Sequence, residues 1–524
     1  MPVRPVAPLS SMARIERISE PWALNRTFAI IITFALAMLL GTWAASGEVE
    51  YIIIVAVWFG AVMVILFVRD YWWSPALVIT AFSMSTTALG FPMSGMEIAV
   101  VIIGLTFPIK IAMKTLRKAE PEMECGPLFW TVLGYMAVHA VVIYFYNKIE
   151  GTPVLKNIIK AYYGALAPLV LYGLLIRYCH TRTVRPTVIV LFFTTLFVVT
   201  VSMFTQLSGI SVDAFTGLHI TLGWLDANGA MAILRISGPY LFIGSVAFWP
   251  AMRGGFPKFL VTLGVLIGAV GTMVGGGRLS LAICIAAGAF FAILRGKLWI
   301  AAPFILITGL IAAVIATNPD VLFDLPVNVQ RALTPLNFSR EETQVQETLG
   351  TSDDWHRDLR IRSFYYWTED TTSFWLGHGY KSWDQTVSFI DPTAVFDQER
   401  VEQLAVEMGL TENMFSSTTN VLGATGLFLY LCFLCHIGWL LIKGIRRSPA
   451  RSEARAMCEF SLVNLAAAVL FCPFMGGVPA LNLIFWQLGI LAARPYLAIP
   501  KTPRELTEAA PLPKFIPKSL GMPS

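Results

Sequence analysis

Apolar runs long enough to cross a bilayer recur along this chain, and nothing else in it restricts the fold as strongly. The first is TFAIIITFALAMLLGTWAA, starting at Thr27. A hydrocarbon core about 30 Å thick calls for about 20 apolar residues of helix, which satisfies its own backbone polar groups. About fourteen such runs are predicted. They begin near Thr27, Tyr51, Pro75, Glu97, Leu128, Ala161, Pro186, Ile236, Phe259, Leu279, Leu298, Phe415, Glu459 and Ala480. Of the 524 residues 56% are hydrophobic and only 14% charged, too little charge to cover a soluble protein of this length. The sequence predicts an all-α polytopic membrane protein of about 12–14 transmembrane helices with one large extracytoplasmic loop. The first run is too long for the apolar core of a cleavable signal and reads as an anchor.

Lysine and arginine set the orientation. With a cytoplasmic N-terminus and alternating sides, 26 of the 38 basic residues fall inside, and 7 of the other 12 lie in a single outer segment. Both termini are therefore expected to be cytoplasmic. The expected organisation is an N-terminal segment at 1–26, eleven spans within 27–316, a periplasmic loop at 317–413, further spans within 414–498 and a tail at 499–524. From Asn318 to Asn413 the loop carries 17 acidic and 7 basic residues. The net charge of +5 could suggest nucleic acid, but an acidic outer loop excludes that partner. Cys432, Cys435 and His436 stand mid-span without a second Cys or His pair, so they read as packing residues rather than a metal site.

Four stretches on the outer side carry chemistry. In GGGRLS, Arg278 opens a span behind three glycines. It is either a helix-end residue that snorkels to the interface or a grip for an anion, with glycine amides and a helix N-terminus beside it. In DDWHRDLRIRSFYYW, Arg357, Arg360 and Arg362 are interleaved with Trp355 and Trp367. If helical, Arg357 and Arg360 share a face, as an interfacial helix or as a phosphate clamp beside rings that stack on sugars. FWLGHGYKSW adds Trp375 and places His378 between two glycines, as a structural residue or a general base. In TENMFSSTTNVLGATG, Glu412 either caps the next helix or takes a proton from an acceptor hydroxyl.

In this order the features resemble the O-antigen polymerase and O-antigen ligase superfamily of bacterial envelope glycosyltransferases. Members have an outward arginine that opens a span after a small-residue turn, matched by Arg278. In their large loop an arginine precedes a tryptophan and a G-x-G, matched by Arg357, Arg360 or Arg362, then Trp367 and Gly377-His378-Gly379. Ligase-type members close the loop with a histidine, a polar residue, nine residues and G-x-x-G. Here Glu412-Asn413 is followed by nine residues and then Gly423-Ala-Thr-Gly426, with glutamate in the histidine's place. The match spans roughly Gly209 to Trp439.

The resemblance implies a polyprenyl-diphosphate-linked glycan donor and inverting transfer that needs no metal or other cofactor. It also implies a bacterial inner-membrane location, with a flippase and a chain-length regulator as potential partners. Arg278 would hold the donor diphosphate together with Arg357, Arg360 and Arg362. Arg360 or a neighbour would neutralise the leaving group, Glu412 or His378 would be the base, and Trp355, Trp367 and Trp375 would stack on glycan. The replaced histidine tilts the expectation toward a polymerase over transfer to lipid A. A transporter is the rival class, favoured by His139 and Glu459 in or near spans.

Overall fold

The computed structural model describes residues within 71–112, 123–149, 166–209, 220–296, 344–379, 414–470 and 480–498, plus isolated positions at 306–333 and 406. The spans expected at Thr27 and Tyr51, most of that at Leu298, Glu412 and the tail lie outside the described residues. The protein is an all-α polytopic membrane protein. Among the described residues six helices are long and apolar enough to cross a membrane.

The elements run α1 (Ser74–Ala81), β1 (Met84–Thr86), β2 (Met93–Ser94), α2 (Gly95–Ala112), α3 (Gly126–Ile149), α4 (Leu169–Tyr178) and α5 (Thr181–Ser208). Then come β3 (Ile220–Leu222), α6 (Ala227–Phe248), α7 (Gly255–Val274), α8 (Arg278–Arg295), α9 (Gln344–Trp367) and α10 (Thr371–Leu376). Last are α11 (Met414–Arg447), α12 (Glu453–Leu470) and α13 (Ala480–Leu497). The strands, absent from the sequence expectation, form one small antiparallel sheet in the order β2-β1-β3.

Most helix starts fall within about six residues of the expected ones, and α6 departs furthest. Its span was expected from Ile236, but the helix opens at Ala227 because the Asp226 carboxylate caps it, accepting from the Gly229 N–H at 2.7 Å. The consequence is that Arg235 stands two turns inside the helix rather than just ahead of it. Helices α6 and α7 approach backbone to backbone. A Cβ added at Gly268 would lie 2.6 Å from the Phe242 nitrogen, so only glycine permits the crossing.

Polar contacts between distant segments sort into two ends. At one, Arg185 pairs with Glu453 at 3.0 Å, and Arg447 donates to the carbonyls of Tyr496 and Leu497. There too the fully buried Arg494 caps the end of α4 by donating to the carbonyls of Ile176 and Cys179. The sheet lies at the other end, as do the Gly275–Gly277 turn and the α9–α10 unit.

Candidate functional site

The glycine turn is built from three separate constraints. Gly276 takes φ +69°, a left-handed conformation that favours glycine. A Cβ on Gly275 would come within 2.9 Å of the Leu234 Cβ, and one on Gly277 within 2.7 Å of the Ser280 Oγ. The amides of Gly275 and Gly276 close α7 by bonding to Gly271 and Met273 carbonyls, so they do not form the expected anion cradle. The donors left for an anion are those of the first turn of α8, which Gly277 caps without a side-chain bond. Arg278 is the first residue of that turn and is partly exposed.

The loop residues form a second unit, seated on a broken helix. Helix α11 is 34 residues long and interrupted at Gly423, whose φ of +66° and ψ of −174° no helix allows. The break removes the intrahelical partners of the preceding carbonyls, which in a membrane protein need replacements. The protein supplies them. The His378 N–H donates to the Asn420 carbonyl at 2.7 Å and the Gly379 N–H to that of Val421 at 3.1 Å. The Tyr135 hydroxyl of α3 donates to the Leu422 carbonyl at 2.7 Å. Asn420 also donates its side-chain amide to the buried Ser363 hydroxyl of α9 at 2.8 Å. The Gly377-His378-Gly379 strap thus lies in the gap of α11, and α9 packs on the same helix.

His378 is held on every side. Its Nε2–H donates to the Tyr366 carbonyl at 2.8 Å, its ring stacks on that of Tyr366 at 3.9 Å, and Nδ1 lies 3.4 Å from the Ser373 hydroxyl. Ser373 in turn donates to Asp370 at 2.6 Å. That hydroxyl, with the Ser373 N–H, the Thr372 N–H and the charge of His378, holds the exposed Asp370 carboxyl below its usual range. Asp370 is the N-cap of α10, so the strap and its capping helix share one hydrogen-bonded group.

The arginine-rich stretch is helical, as the i,i+3 argument assumed, and lies in α9. Its inner face carries Leu359 and Ser363, both 1% exposed, with Trp355 and Tyr366 packed around Leu359 and Val406. Arg357 is outermost, 3.3 Å from the Asp358 carboxylate, and Arg360 and Arg362 are partly buried. Trp367 stacks on Phe374 at 4.8 Å and donates its indole N–H to the Phe374 carbonyl, whereas Trp375 is 54% exposed. Arg357, Arg360, Arg362, Trp355, Trp367, Trp375 and His378 therefore belong to one unit on α11 and α3. Arg278 stands at a separate turn on α6.

Three polar residues that matter to these sites went unremarked in the sequence: Tyr135, Asn420 and Arg235. Only Arg235 left a signal, a cation in the apolar stretch ILRISG. Of the two residues that favoured a carrier, His139 donates to the Leu376 carbonyl at 2.8 Å and so braces α10. Glu459 accepts from Arg295 at 2.9 Å and from Arg455 at 3.0 Å. Neither a known family model nor a curated protein sequence matches the chain.

Proposed function

We propose that the protein is a membrane glycosyltransferase that polymerises a polyprenyl-diphosphate-linked glycan on the outer face of the bacterial cytoplasmic membrane, in making an exopolysaccharide, capsule or O-antigen. One observation carries this: two short motifs more than forty positions apart, Gly377-His378-Gly379 and Gly423-Ala-Thr-Gly426, interlock. Their union seats the arginine helix at the head of α11, immediately after Glu412-Asn413 in the chain.

In the proposed reaction an acceptor hydroxyl attacks the anomeric carbon from the face opposite the diphosphate. Glu412 takes the hydroxyl proton, the anomeric C–O bond breaks, and the polyprenyl diphosphate leaves with the bonding electron pair. Negative charge grows on the departing diphosphate, where guanidinium groups and the first-turn amides of α8 stabilise it most in the transition state. Arg278 would grip the diphosphate, and Arg360 with Arg357 and Arg362 would neutralise the leaving group. Glu412 is preferred to His378 as base because both ring nitrogens of His378 face protein groups. Of the three tryptophans expected to stack on glycan, Trp375, exposed at the edge of α10, is the one whose ring is open to a ligand. A flippase and a chain-length regulator would be its partners.

Two other readings have some support. The nine-residue spacing from Asn413 to Gly423 favours a ligase that transfers glycan to lipid A-core. The break in α11 favours a carrier, since carriers bind at discontinuous helices. Against the carrier, protein donors already occupy the carbonyls at the break, and Glu459 is locked between two arginines. Reconstitution with a polyprenyl-diphosphate oligosaccharide separates the three. Polymerisation lengthens the glycan, a ligase moves it to lipid A-core, and movement without a new bond overturns the transferase reading.

A further inference from the structure

We infer that Arg235 is a positioning residue for the lipid donor: from inside α6 it fixes the glycine turn that presents Arg278 and the first amides of α8. The inference rests on reading Arg278 as the diphosphate contact. An arginine two turns inside an apolar helix is costly and needs a use.

Its contacts show what that use is. The Arg235 Nε–H donates to the Gly275 carbonyl at 2.7 Å, which tethers the first residue of the turn. The backbone carbonyl of Arg235 accepts from the Ser280 hydroxyl at 2.7 Å, which tethers the first turn of α8. Between these bonds its Cγ lies 3.1 Å from where a Gly277 Cβ would stand. Met231, one turn earlier, receives the guanidinium's NH2 at 3.3 Å on its sulfur, which fixes the plane of the group. A single residue of α6 thus touches the turn before, under and after its left-handed glycine. Rotation of that turn would redirect the backbone of Arg278, and Arg235 opposes the rotation at both ends.

A double-mutant cycle on binding of bare polyprenyl diphosphate to the purified full chain tests this. Arg235→Gln is expected to weaken binding roughly tenfold, the scale of one lost charged hydrogen bond. In an Arg278→Gln background the same change should have a clearly smaller effect, because only the α8 amides are then left for the turn to aim. Ser280→Ala, which removes only the hydroxyl tether, should weaken binding several-fold and show the same coupling. If Arg235→Gln fails to fold, Arg235→Lys, which keeps the cation but lacks the Nε–H that reaches Gly275, decides the matter in the same cycle. Equal effects in both backgrounds would make Arg235 an independent contact and overturn the inference, as would unchanged affinity in the single variants. Wild-type protein that does not bind the probe would overturn the donor reading itself, and this inference with it.

Discussion

Gly377 and Gly423 meet backbone to backbone. A Cβ on Gly377 would lie 2.5 Å from the Gly423 nitrogen, and one on Gly423 would lie 2.3 Å from the Trp375 carbonyl oxygen. Both residues have positive φ, 75° and 66°. The strap seats in the gap of α11 only because neither residue has a side chain.

Alanine at either position should therefore unseat the strap. A positive φ with ψ near 180° is a region open almost to glycine alone and costs roughly 1–3 kcal/mol for a residue with a side chain, and a clash with rigid backbone adds to it. Limited proteolysis of detergent-solubilised protein should cut the Gly377→Ala and Gly423→Ala variants near the strap, while Gly104→Ala, which meets nothing within 4 Å, should resist like wild type.

How much of this was legible in the sequence follows from the physics of each part. Apolar runs are local signals, so the all-α membrane class and the positions of most described spans were readable. The start of α6 was not. Arg235 looked like the flank of a span because hydropathy cannot show that Gly275 and Ser280 would satisfy it. Within the candidate site the glycines and arginines stood out by type. Tyr135 and Asn420 did not, because their use depends on carbonyls released by a break in another part of the chain.

Glu459 and Arg295 should prove structural. Glu459 is 3% exposed and bridges Arg295 and Arg455, while Arg295 also donates to the Ala247 carbonyl at 3.0 Å. Removing one partner of a buried ion pair costs about 3–5 kcal/mol, since it strands the other charge. Glu459→Gln should lower the thermal midpoint clearly and leave turnover per folded molecule unchanged. A fully stable variant that has lost activity would instead mark Glu459 as a coupling acid.

The strap should loosen in acid through Asp370. Its carboxyl is depressed in the folded protein, so its contribution to stability is complete above the unfolded-state value of 3.8. That contribution shrinks as pH falls below this value and is gone once pH passes the folded value. Hydrogen exchange of residues 371–379 should accelerate as pH is lowered through this window, after correction for intrinsic rates. In Asp370→Asn the cap is kept without a titrating group, and the corrected acceleration should vanish.

Arg278 should act on the transition state more than on stability. Arg278→Gln is expected to lower turnover about 10²–10³-fold, the range for deleting one donor to a developing oxyanion. Arg278→Lys should recover only part of this, because an ammonium keeps the charge and loses the two-pronged geometry. Single-turnover rates with a radiolabelled lipid donor give the measurement, and full activity of the lysine variant would exclude paired contact with the diphosphate.

Glu412 and His378 should separate cleanly when substituted. If Glu412 accepts the acceptor's proton, Glu412→Gln should cut turnover by about 10²–10⁴-fold, with donor binding and thermal stability unchanged. His378→Ala should behave differently, because the ring is stacked on Tyr366 and bonded to its carbonyl. Its loss should expose the strap to protease and lower donor affinity and turnover together. The pH profile distinguishes the two roles further. A carboxylate base makes the rate fall as pH drops through the carboxylate range, and that limb should disappear in Glu412→Gln while persisting in His378→Ala. The opposite pattern, a limb lost in His378→Ala with an intact strap, would move the base to His378.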